Sequence, residues 1–337
     1  MYKESIKIFG TYDKHIQGIA MDSDRKYMYY SFTTSLVKTD MDGNVIGSVK
    51  GIVGHLGCIA YNYEDGRVYG SLEYKRDSIG AGIFKSLGMD TDFLQRDGFY
   101  VAIFDVNKIT RSDMDAEKDG IMTAVYLKEV VDDYEADGHK YGCSGIDGLT
   151  FAPIPGDRFG KKYLYVAYGI YADNERDDND CQVLLRYDVN KLCTFEKILC
   201  QNDMHTYGPE KYDGKYFVYT GNTTFGVQNL EYDEFTGFMF AAVYRGEKEK
   251  FPNFPMFAFD MNVAPQNEEM ITLANVGIED KKTGIFGFEF PYGSTGMISL
   301  GEGKFYFSRD FRNDDGYGTD IGLYEFDTEN GFVPVIQ

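Results

Sequence analysis

The chain of 337 residues has no tryptophan, only 8 prolines and only 4 histidines. Its five cysteines, Cys58, Cys143, Cys181, Cys193 and Cys200, form no CxxC pair and leave one over. That pattern argues against both a zinc ribbon and a secreted disulfide framework. Positive charge is scarce as well: Lys+Arg 34 against Asp+Glu 54 gives a net charge of −20. The chain therefore lacks the basic footprint that nucleic acid or an anionic membrane surface requires, and neither is expected as a partner. No apolar run approaches a membrane span, and the opening residues MYKESIKIFG lack the apolar core of a signal peptide. A reducing cytoplasm is the expected compartment.

What is abundant favours strands and turns: Tyr 28 and Phe 26 supply β-favouring aromatics, and Gly 38 suits many tight turns. The organising stretch is His15 to Asp42, HIQGIAMDSDRKYMYYSFTTSLVKTDMD, which reads as three consecutive strands of a propeller blade. Four later segments repeat its order. Each opens on a glycine-led strand beginning at Gly18, Gly57, Gly148, Gly226 or Gly296, and continues into an aromatic strand over 26–30, 67–71, 162–166, 238–242 or 304–308. The third strand ends on an Asp-turn signal at Asp40, Asp105, Asp188, Asp260 or Asp327, spaced 65, 83, 72 and 67 residues apart. Those intervals exceed the ~40–50 residues of common blade repeats, so blades with added strands or loops are implied.

The predicted fold is thus all-β, a five-bladed β-propeller forming a single domain over 1–337. Residues 215–220 and 285–290 read as additional strands of blades three and four. Residues 6–10 hold the equivalent place ahead of the first blade, and are expected to pair into the last blade beside 332–336, closing the ring. Residues 77–97, 112–120, 134–144 and 172–180 read as irregular, and the acidic run in the last lacks the spacing of an EF-hand loop.

In a propeller, entries to the inner strands and exits from the second strands emerge on one face. That projection gathers His15, Gln17, His55, Asp147 and Gln228 with Glu73, Tyr168, Tyr244, Arg245, Arg309 and Asp310. Glu73, Asp147 and Asp310 are candidate acid–base carboxylates. Arg245 and Arg309 end equivalent strands of adjacent blades, as a pair of guanidinium forks for an anionic ligand would. His15, Gln17, His55, Tyr168, Gln228 and Tyr244 complete the expected substrate-binding set.

The histidines and the glutamine at this mouth resemble those of oligogalacturonate-lyase-like propellers, which hold a metal. No ligand pair of zinc spacing occurs here, so no metal and no cofactor are expected. His15-Ile16-Gln17-Gly18-Ile19 with the aromatic strand after it resembles one blade of plant-type glutaminyl cyclases, and no catalytic residue transfers with that resemblance. Propeller glycosidases place carboxylates around the axis, as Glu73, Asp147 and Asp310 could here. Two functions follow as expectations. One is an enzyme of hydrolase or lyase type acting on a polar, anionic carbohydrate-like molecule. The other is a non-catalytic propeller that binds a ligand or a protein. Oligomeric state is left open.

Overall fold

A computed structural model describes residues 2–12, 14–90, 93–314 and 316–335. Five inner strands, Ile16–Met21, His55–Asn62, Cys143–Ala152, Thr223–Asp233 and Met297–Gly301, touch one another in that order, and the fifth returns to the first. This is the ring of a five-bladed propeller. Each inner strand pairs antiparallel with the aromatic strand that follows it, Tyr27–Phe32, Arg67–Tyr74, Tyr163–Ile170, Phe238–Arg245 and Lys304–Asn313. The first four of these second strands are buried almost throughout because a neighbouring blade covers each face, which suits their apolar and aromatic content, and the fifth is buried only over 305–308. Third strands follow in every blade, and the Asp signals fall at their ends.

Fourth strands are present in blades one and two as well as in the blades where the sequence locates them. Val45–Lys50 and Met122–Tyr126 supply them to blades one and two, and Gly214–Tyr219 supplies blade three. In blade four, Ile285–Gly287 belongs to a small hairpin that reaches the third strand through a Met256–Phe288 bridge. The N-terminal strand Ser5–Tyr12 pairs antiparallel with Gly316–Asp327 of blade five, Ile6 opposite Ile321 and Ile8 opposite Thr319. Gly331–Pro334 pairs with the other half of the same edge; Ile336, included in the predicted pairing, lies outside the described residues.

Three short fifth strands cross between blades. Met114–Asp115 leaves blade two to pair with blade one, Lys197–Ile198 leaves blade three to pair with blade two, and Met270–Ile271 leaves blade four to pair with blade three. Each occupies an edge that would otherwise be open. The stretches expected to be irregular also hold helix. Asp77 caps Ser78–Ser86 by accepting from the Ile79 and Gly80 amides, and Ile83 and Phe84 bury the apolar face. Lys128–Glu135 is a second helix, running into the 134–144 stretch.

Candidate functional site

Four of the five inner strands carry a β-bulge at the same level. The pairing skips Gln17 in blade one, Gly57 and Cys58 in blade two, Asp147 and Gly148 in blade three and Gln228 in blade four. A bulge leaves a residue without a ladder partner and re-aims its side chain. Here Gln17, Asp147 and Gln228 all line one cavity of about 200 Å³. His15, His55, Glu73, Lys75, Phe225 and Tyr244 complete most of its wall.

His55 and Glu73 stand opposite each other in blade two's register, on one face of the sheet. His55 Nδ1 lies 3.6 Å from Glu73 Oε2, an ion-pair contact too long for a hydrogen bond. Lys75, two residues beyond Glu73 and so on the same face, places Nζ 2.9 Å from Oε2. It also donates to the Ser144 carbonyl at 3.0 Å. Glu73 Oε1 accepts the Ile146 amide at 2.6 Å. Gly145 makes room for that carboxylate: with φ +126, a Cβ there would fall 1.9 Å from Oε1.

Asp147 belongs to the next blade but is received by the bulge of blade two. Its Oδ1 accepts the freed Cys58 amide at 3.2 Å and presses so closely on Gly57 that a Cβ there would lie 2.1 Å away. Gln17 Nε2 lies 3.1 Å from His15 Nε2 and donates to Thr33 Oγ1 at 3.2 Å.

Burial and charge pull these groups apart. Burial alone would raise Glu73, yet Lys75 and His55 outweigh it and hold its carboxyl below the usual range. Burial opposes the His55 imidazolium, but Glu73 and Asp147 together push its pKa up. Lys75 is raised despite its burial by Glu73 and Asp77. His15 is lowered by burial, with His55 adding repulsion against the pull of Asp310. Among the described residues, no cation is in hydrogen-bond contact with Asp147, and burial carries it up to about 7, with Glu73 reinforcing and His55 opposing the shift.

Seven of the expected residues therefore meet: His15, Gln17, His55, Glu73, Asp147, Gln228 and Tyr244. Asp310 is exposed and acts on His15 and Tyr244 only through its charge. Tyr168 is fully buried and donates to Asp133, because its position on the second strand faces the core. The arginine pair does not form a fork in the cavity. Arg245 is ion-paired with Glu289, and Arg309 lies 2.9 Å from Asp320 opposite it in the register. An acidic chain offers each arginine a nearer carboxylate than any ligand.

Sequence reasoning missed Lys75, Phe225 and Ile79. The two-residue period from Glu73 points to Lys75. Phe225 adopts φ +63 inside an irregular part of its strand and stands 42% exposed at the mouth. Ile79 is delivered by the helix that Asp77 caps. Among the described residues, no group of three or more His, Cys, Asp or Glu side chains is arranged to hold a metal ion. No helix among them is long and apolar enough to cross a membrane.

No family model matches the sequence, and no curated protein does. Among solved structures, the chain is similar to a protein of unknown function from Desulfotomaculum acetoxidans. That match has 10% identity, covers 95% of this chain and 69% of that one, and has a TM-score of 0.40. A GH43 β-1,3-galactosidase solved with galactodeoxynojirimycin is similar at 12% identity, with 93% and 91% covered and a TM-score of 0.43. The five-bladed architecture rests on the sheet connectivity itself, and any function must be argued from the cavity.

Proposed function

We propose that this cavity is the active site of a hydrolase- or lyase-type enzyme acting by acid–base chemistry on a small polar, carbohydrate-like substrate with an anionic group. The observation that carries the reading is Asp147: a buried carboxyl, raised to about 7, lining an open cavity beside His55, Glu73 and Lys75. A carboxyl with that pKa can hand a proton to a leaving oxygen near neutral pH and take one back. His15, kept neutral by burial, is the complementary base for a water or a substrate C–H. Glu73 has its oxygens engaged by Ile146, Lys75 and His55, so it orients His55 and is not itself the reacting group.

The anionic preference has a different source from the arginines expected at first. Lys75 and His55 are the cations of the wall: Lys75 is shared between Glu73 and Asp77, and Glu73 and Asp147 push the His55 pKa up. An anionic group on the substrate would sit against these two side chains. Volume limits the ligand too, since about 200 Å³ falls below the roughly 300–1,000 Å³ of drug-sized sites. A single ring or its equivalent fits, against the faces of Phe225 and Tyr244.

Non-catalytic binding is the second reading, favoured by the internal engagement of Glu73 and Lys75, which leaves few free polar groups. Turnover of nitrophenyl glycosides, glycuronides and unsaturated-uronate precursors by the parent and by Asp147→Asn separates the two. Loss of about 10²–10⁴-fold in the variant supports catalysis. Binding of a uronate without turnover, equal in both proteins, would support the binding reading instead.

A further inference from the structure

At the opposite end of the axis, where the inner strands finish, two adjoining cavities of about 50 and 340 Å³ share Met21, Tyr63, Lys162, Glu231 and Tyr232 in their walls. We infer that this end is a second binding site, for a small organic ammonium compound anchored by Glu231.

Glu231 ends blade four's inner strand and accepts the Ser299 amide at 2.8 Å and the Thr150 hydroxyl at 3.3 Å. Both are neutral donors. Among the described residues no cation is in ion-pair contact with it, because Lys162, which lines the same cavity, is paired with Glu234. Arg25 lies over the Tyr2 ring, 4.6 Å from its centroid. Burial consequently raises Glu231 to about 8, with the Ser299 amide and Lys162 only partly opposing it. A half-buried carboxyl that has no cation in contact and borders open space is an incomplete ion pair.

An ammonium group has only donors to offer, and the Glu231 carboxylate can accept. Tyr63 adds a π-face at the rim: it is 55% exposed and held edge-on by Tyr61 at 5.2 Å, which stacks in turn on Tyr29. A carboxylate with aromatic faces is the composition that recognises organic cations. The net charge of −20 concentrates such cations around the chain. On binding, the ammonium N–H replaces the proton of the Glu231 carboxyl, and that proton passes to solvent.

Isothermal titration of the purified chain with 1,4-diaminobutane, at about pH 8.5 where the amines keep their charge, tests the inference, with 1,4-butanediol as the neutral control. Saturable binding of the diamine and none of the diol is expected. Glu231→Gln keeps the acceptor for Ser299 and should weaken binding by about tenfold or more, the scale of one charged hydrogen bond. Tyr63→Leu should weaken it less, and Asp147→Asn should leave it unchanged, which separates this site from the other cavity. Equal binding of diol and diamine, parent-like binding by a folded Glu231→Gln, or no saturable heat in the parent would each overturn the inference.

Discussion

The Ile146 amide of blade three donates to Glu73 Oε1 of blade two at 2.6 Å, so one carboxylate joins two blades beside the cavity. The same carboxylate balances Lys75, which is buried. Glu73→Ala leaves that charge with only Asp77, 3.9 Å away, and should cost up to about 3–5 kcal/mol, the range for breaking a buried pair from one side. Urea unfolding measures it, and a loss below about 1 kcal/mol would contradict the coupling. The Glu73 pKa is lowered on folding, so its stabilisation is present above its unfolded value of about 4.3. It disappears as pH falls through the lower folded value.

Asp147 and His55 give the opposite slope. With a folded pKa of about 7 against about 3.9 unfolded, native Asp147 binds more protons than the unfolded chain between those limits. Stability should therefore decline as pH rises through that window. His55, raised on folding, stabilises fully below about 6.5, and this is lost as pH rises through its folded value. Asp147→Asn removes the first contribution, so its stability relative to the parent should grow from about pH 4 to 7. Denaturation curves across that range check it, and a constant difference would contradict the assignment.

Arg245→Ala and Arg309→Ala should each leave uronate binding unchanged and shift stability by less than about 1 kcal/mol, since both ion pairs are partly exposed. Thermal shift with and without ligand is sufficient. A selective loss of binding in either variant would restore the arginines to the site.

Deleting residues 2–10 exposes the edge of blade five and removes the buried Ile6 and Ile8. The shortened chain should melt lower and self-associate more, because a free strand edge templates pairing. Scanning calorimetry and light scattering report both changes, and unaltered values would show that the N-terminal strand adds little.

The blades were legible because the second strands are sandwiched over the stretch that repeats, and a strand buried on both faces writes its position in an apolar run rich in aromatics. The mouth was legible for a related reason: Gln17-Gly18 and Asp147-Gly148 place a polar side chain beside the glycine that lets neighbouring backbones approach, and both pairs are bulges. The fifth strands could not be read, since two-residue segments such as Met114–Asp115 owe their pairing to a neighbouring blade and carry no period of their own. The arginines misled because strand exits show which end of the ring a side chain occupies but not which carboxylate lies across the ladder. Asp320 opposite Arg309 is a tertiary fact.

The central claim is that Asp147 holds a proton near neutral pH while facing the cavity. Carbon-13 NMR titration of aspartate-labelled protein, with Asp147→Asn to assign the resonance, measures this directly. A carboxyl titrating near 7 and moving when a uronate binds is the predicted result. A midpoint near the ordinary value of about 4, unaffected by any ligand, would contradict it.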